Sequence, residues 1–193
     1  LFMEHLSDNA FDRRGENNPF FKISSGKLDN TNNFIKNYWS HAYKRIGLCN
    51  RFLEGIEKTP ASASKARMVA EARFLRAAHY QYLASYFKDV PLVTRVLTGE
   101  EANNVEKETQ AHILEWCAVE LKEAAADLPR FRDIKSSETG RACRQAALAF
   151  LGRTYMLMQQ WENAAAAYKE IIDYGDNSIH SSYSELFEPS TDR

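Results

Sequence analysis

The groups in this chain best able to do chemistry are 26 acids, 25 bases, five histidines and three cysteines, and their spacing assembles no common reaction centre. His5, His41, His79, His112 and His180 are scattered, and no H-E-x-x-H places two of them on one helical face. Cys49, Cys117 and Cys143 lack both the even count of a disulfide framework and the C-x-x-C spacing of a zinc site. On helical patterns they read as small buried hydrophobes. There is no G-x-S-x-G elbow, no G-x-G-x-x-G and no phosphate loop. The acidic neighbours Glu54/Glu57 and Glu100-Glu101 fall on faces expected to be solvated. Nothing assembles a reaction, so the chain is expected not to be an enzyme and to need no cofactor or metal. Binding chemistry is better supplied. Residues 8–21 interleave Asp8, Asn9, Arg13, Arg14, Asn17 and Asn18 with Phe11, Phe20 and Phe21.

Those residues sit in a segment, 1–31, that is poor in periodicity and rich in Asn, Asp, Ser and Gly. A loop longer than about 12–15 residues is usually functional or disordered, and its phenylalanines favour an ordered one. From about Asn32 the pattern turns helical. Ile35, Trp39, Ala42, Ile46, Cys49, Leu53 and Ile56 recur at alternating gaps of four and three, one apolar stripe down a long helix. Lys58-Thr59-Pro60 stops it, and Ser62 or Ser64 can cap the next. That second helix runs to about Phe87. It carries Met68, Ala72, Leu75, Tyr82 and Tyr86 on one side and Ala70, Phe74, Ala77 and Leu83 on another, as in a helix sandwiched between neighbours. His79 is expected to be a core histidine with a hydrogen-bond partner.

Pro91 ends the second helix, and residues 92–107 read as a connector. Thr109 then caps a helix striped by Leu114, Cys117, Leu121, Ala124 and Leu128 and stopped by Pro129. After a charged loop, Leu148, Leu151, Gly152 and Tyr155 are followed by Ala164, Tyr168 and Ile171. These gaps match a tetratricopeptide helix–turn–helix, with Gly152 where the two helices touch, Trp161 opening the second and Gly175 just past its end. Trp39, Trp116 and Trp161 are expected in the core. The fold class that follows is all-α: stacked antiparallel helix pairs in a tetratricopeptide-like right-handed array, preceded by an irregular N-terminal segment.

Whole-chain properties narrow the partners. A net charge of −1 over 193 residues gives no Lys/Arg surplus for nucleic acid. No apolar run approaches the ~20 residues of a membrane helix. The opening Leu1-Phe2-Met3-Glu4 shows no signal peptide and reads as a chain that begins mid-protein.

Several blocks in order carry a resemblance. They are Trp39-x-x-x-Tyr43-x-x-Ile46-x-x-x-Asn50-x-Phe52-Leu53, Ala70-Glu71-Ala72-Arg73-Phe74-Leu75-Arg76-Ala77, and Tyr86-Phe87-Lys88-Asp89-Val90-Pro91-Leu92-Val93. Gly140-Arg141-Ala142 before Ala146-Ala147-Leu148, and Trp161-x-x-Ala164 through Gly175 to Leu186-Phe187, continue the series. Over about 32–187 the chain resembles SusD/RagB-family outer-membrane nutrient-binding lipoproteins. One departure is Lys88, where the family usually has Gly; a helix end of ordinary geometry is expected there at small cost.

The resemblance implies three parts: 1–31 as an irregular, possible ligand loop, 32–187 as the helical domain, and 188–193 as the start of a C-terminal half not in this chain. It implies a lipoprotein on the extracellular face of the outer membrane, whose signal peptide and lipidated Cys are likewise not in this chain. Such a protein binds oligosaccharide and hands it to a SusC-like TonB-dependent transporter, without bond chemistry and without nucleic acid. The family's ligand residues come partly from the loop before the Trp39 helix, which points to Asp8, Asn9, Phe11, Arg13, Asn18, Phe20 and Phe21. Sugars are held by aromatic faces and polar side chains in a partly preformed cleft, and that mix is present. The competing role for these residues is to staple and turn the loop. Arg73 and Arg76 are expected to tie helices together. Peptide cargo, or a tetratricopeptide adaptor gripping a peptide or protein, is the alternative function.

Overall fold

A computed structural model of the protein describes residues 13–18, 21–27 and 31–187. Within them the chain is helical: α1 (Phe21–Ser24), α2 (Asn33–Ile56), α3 (Ala63–Phe87), α4 (Gly99–Asn103), α5 (Gln110–Asp127), α6 (Arg144–Leu157) and α7 (Trp161–Tyr174), with short 3-10 turns between them. Successive long helices pack on one another, α2 on α3, α3 on α5, α5 on α6 and α6 on α7. Among the described residues no helix is long and apolar enough to cross a membrane.

Local chemistry sets the helix ends. Asn32 caps α2 by accepting from the Phe34 amide at 2.9 Å, and Ser62 caps α3 by accepting from Lys65 at 3.1 Å. The ammonium of that same Lys65 reaches back to the Glu57 and Thr59 carbonyls beyond α2, at 3.2 and 2.7 Å. One turn of sequence thus closes one helix and opens the next. Thr109 caps α5, as its position predicts. Residues 92–107 are less uniform than a plain connector. They contain α4, whose Thr98–Glu101 capping box is complete.

α3 is the central helix. Ala70, Ala77 and Ala84, seven residues apart, are all buried, and these small side chains let α5 approach closely. The Cys117 thiol of α5 donates to the Ala77 carbonyl at 3.5 Å. Leu83, Tyr80, Ile113, Leu121 and Leu128 fill the remaining space, each at 1% exposure or less. Burial stabilises a Leu or Ile by roughly 1.5–3 kcal/mol.

The expected second buried side of α3 is only partly buried. Ala72 is covered, but Leu75 is 48% and Tyr86 51% exposed, with Met68 also exposed and Tyr82 half-buried. Trp161 corrects another expectation. It is 57% exposed at the first position of α7 and is not packed on the core among the described residues, whereas Trp39 and Trp116 pack against it.

Lys88 ends α3 with φ +60° and ψ −107°, not the ordinary geometry the sequence suggests. Its amide still donates to the Ala84 carbonyl at 3.1 Å. A side chain at positive φ costs about 1–2 kcal/mol, and glycine returns about 0.5–1 kcal/mol of that as unfolded-chain entropy. Lys88→Gly is therefore expected to raise stability by up to about 1 kcal/mol. A lower urea midpoint for the variant would show that the lysine side chain itself holds the turn.

Candidate functional site

The main polar feature of the array is a clamp on the connector after α3. Residues 91–97 have almost no regular structure, yet side chains of α2 and α3 hold their backbone. The Tyr43 hydroxyl donates to the Pro91 carbonyl at 2.8 Å. The Asn50 amide donates to the Val93 and Arg95 carbonyls at 2.9 and 3.1 Å. The Tyr80 hydroxyl donates to the Val93 carbonyl and accepts from its amide, at 3.0 and 2.7 Å. Glu54 accepts from the Val96 amide at 2.6 Å. Burial pushes both the Tyr43 and Tyr80 phenols well above their usual range, so they stay neutral donors.

Behind the clamp lies a charged core. Arg76 reaches Asn50 at 2.9 Å, the Thr94 carbonyl at 3.0 Å and Glu120 at 2.6 Å, and its guanidinium lies over the Trp116 ring at 5.2 Å. Arg73 pairs with the other oxygen of Glu120 at 2.7 Å and also with Glu123. The expectation that Arg73 and Arg76 tie helices together agrees with this geometry. Asn50, Tyr43 and Tyr80 are the members sequence reasoning missed. Their signal was available: Asn50 is a polar residue directly beside the apolar stripe of α2.

Between α2 and the clamped connector opens a cleft of about 520 Å³. Trp39 and Tyr43, with ring centroids 5.0 Å apart, form one part of its wall, and Lys44, Arg51 and Arg95 also line it. Arg95 is held by Glu101 at 2.7 Å, and the arginine's hydrogen bond, with Thr98, draws that carboxyl down to about 2. A second hollow of about 490 Å³, between α2, α3 and α6, is lined by Tyr38, Leu75, His79, Tyr82, Tyr86 and Phe150. Burial, with Tyr86 and Tyr82 alongside, raises the Tyr38 phenol to about 12. His79 lines this hollow without the expected hydrogen-bond partner among the described residues. Burial, and then Arg45, push its pKa down, which favours the neutral ring. Burial likewise raises the Cys117 and Cys49 thiols. Among the described residues no three His, Cys, Asp or Glu side chains group as metal ligands.

Of the N-terminal residues singled out from sequence, Asp8, Asn9, Phe11 and Phe20 lie outside the described residues. Arg13 is exposed. Asn18 is buried at 4% exposure; its amide donates to Gly15 at 2.9 Å and its carbonyl accepts from Phe21 at 3.0 Å. Phe21 is half-buried, with the Lys27 ammonium 5.9 Å from its ring centroid. The structure thus sets Asn18, just after the turn Gly15–Asn17, in backbone contact with Phe21 at the start of α1.

Comparison with known proteins gives a consistent picture. A family profile described as "Starch-binding associating with outer membrane" matches residues 2–156. A SusD-like protein of Formosa agariphila is 24% identical over 160 residues, 82% of this chain and 30% of that protein. The crystal structure of a SusD-like carbohydrate-binding protein from Bacteroides fragilis superposes with a TM-score of 0.92 at 66% identity, covering 98% of this chain and 37% of that one. A laminarin-binding SusD-like protein matches at 29% identity and a TM-score of 0.73, over 78% of this chain and 32% of its own. The chain spans about a third of the length of these relatives.

Proposed function

Because this chain belongs to the SusD-like family, we propose that it forms the helical part of a cell-surface protein that binds oligosaccharide and delivers it to a SusC-like TonB-dependent transporter. The observation that carries this reading is the likeness to the Bacteroides fragilis carbohydrate-binding protein along nearly the whole chain. Function here is binding and hand-over. Buried Arg76, Glu120 and Asn50 are committed to holding helices and connector, which suits a scaffold that presents loops. The protein sits on the extracellular face of the outer membrane through an N-terminal lipid anchor.

The ligand residues we assign to the N-terminal segment are Asp8, Asn9, Phe11, Arg13, Asn18, Phe20 and Phe21. Arg13 offers an exposed charged donor, and Phe21 a half-buried aromatic surface at the start of α1. The test is affinity electrophoresis of the full-length protein through gels containing a panel of polysaccharides. One glycan is expected to retard it, and Arg13→Ala with Phe21→Ala is expected to weaken that retardation about tenfold, some 1.4 kcal/mol. Full mobility in every gel would shift the cargo to peptide. Retardation unchanged in the double variant would move the site out of this segment.

A further inference from the structure

The cleft between α2 and the connector has a charge the fold does not use. Over the whole sequence acids and bases nearly cancel, 26 against 25. The cleft lining departs from that balance: it holds Lys44, Arg51 and Arg95 and no carboxylate. Arg95 is answered by Glu101 from α4. Lys44 and Arg51 have no hydrogen-bond or ion-pair partner among the described residues. They stand seven residues apart on α2, two turns or about 10 Å along one face. Gly47 lies between them, and a Cβ there would meet no atom within 4 Å, so the floor between the two cations is open.

The rest of the wall is apolar or neutral. Trp39 and Tyr43 flank Lys44, and Tyr43 supplies no negative charge because its half-buried phenol stays protonated and donates to the Pro91 carbonyl. Asn50 is spent on Val93, Arg95 and Arg76. The connector side is fixed by the clamp, so the cleft is preformed rather than waiting on a loop to order. At about 520 Å³ it falls within the range of small-ligand sites.

An anion of small size with apolar C–H surface answers these features together. We propose that this cleft binds an acidic sugar residue, one bearing a carboxylate or a sulfate ester, with Lys44 and Arg51 on the anion and the Trp39–Tyr43 wall against the ring. The inference rests on the glycan-binding reading and adds to it a second location and a ligand class.

The experiment is isothermal titration of the full-length protein with trigalacturonate, its methyl ester and a sulfated galactan trisaccharide at 50 mM salt. At least one anionic sugar is expected to bind ten times or more tighter than the neutral ester, and which one does so separates carboxylate from sulfate. Raising salt to 200 mM is expected to weaken the anionic sugar only. The double variant Lys44→Gln/Arg51→Gln is expected to remove the preference while melting at the wild-type temperature, since both side chains are exposed. Binding of both anionic sugars no tighter than that of the neutral ester, no binding of either anionic sugar, or a preference that survives in the double variant would overturn the proposal. If polysaccharide gels still retard the protein in those cases, glycan binding stands and only the acidic cleft falls.

Discussion

Replacing Glu120 by Leu is expected to lower stability by about 3–5 kcal/mol, the range for removing one partner of a buried ion pair. Each oxygen of Glu120 has its own arginine, Arg73 at 2.7 Å and Arg76 at 2.6 Å, and both Glu120 and Arg76 side chains are only 9% exposed. Without the carboxylate Arg76 keeps Asn50 and the Thr94 carbonyl but has no counter-charge, and water reaches it poorly. At about 2–4 °C per kcal/mol for a chain of this size, the melting temperature should fall by roughly 10 °C. Arg73→Ala should cost less. Arg73 is a quarter exposed, and pairs toward the surface contribute about 0–1 kcal/mol. Urea denaturation of the three proteins measures the order. A Glu120→Leu loss below about 1 kcal/mol would mean that packing alone holds α3 to α5.

Gly152→Leu is expected to cost about 2–3 kcal/mol by overpacking the last helix pair. A Cβ built at Gly152 lies 2.6 Å from Cζ of Tyr168, so the ring rests directly on the glycine. Alanine gives a more discriminating result. It gains about 1 kcal/mol of helix propensity over glycine, and the Tyr168 ring tip can lift, since its hydroxyl is held only by Met156 Sδ at 3.5 Å. Gly152→Ala should therefore lose at most about 1 kcal/mol, and adding Tyr168→Ala to Gly152→Leu should recover part of the larger loss. An unchanged melting temperature for Gly152→Leu would place the α6–α7 crossing elsewhere.

The helices were legible because their signals are local. The stripe from Ile35 to Ile56, the caps at Ser62 and Thr109, and Gly175 at φ +63° all express short-range spacing. Gly152 was legible because a small residue in an otherwise bulky pattern marks a crossing. Which side of α3 is covered was not legible, because Leu75 and Leu83 look alike to a periodicity argument and only neighbouring helices distinguish them. Trp161 misled for the same reason: a large apolar residue at a helix start needs something above it. The clamp was hidden by distance in sequence. Tyr43 and Pro91 are 48 residues apart and Asn50 and Val93 are 43 apart, so no local rule pairs them. At the candidate site the sequence supplied residue types but not convergence. Arg13 and Asn18 lie on either side of the turn Gly15–Asn17 and Phe21 starts α1, while the Lys44–Arg51 face of α2 is recognised only when the connector is seen opposite it.

The clamp also determines where this chain can be lengthened or cut. Residues 91–97 carry no regular element and the loop around 134–141 only the 3-10 turn Ser136–Glu138, so both invite a tag, a graft or a protease site. Tolerance follows backbone bonding rather than irregularity. Around 134–141 the ties to the rest of the array are side-chain pairs, Arg141 with Glu71 and Glu138 with Arg67, which can re-form after an insertion. In 91–97 one added residue would displace the backbone partners of Tyr43, Asn50, Arg76 and Tyr80 and leave the fully buried Asn50 amide and Tyr80 hydroxyl without acceptors. A split or grafted version of the array should therefore be opened between α5 and α6, leaving the stretch after Pro91 at its native length.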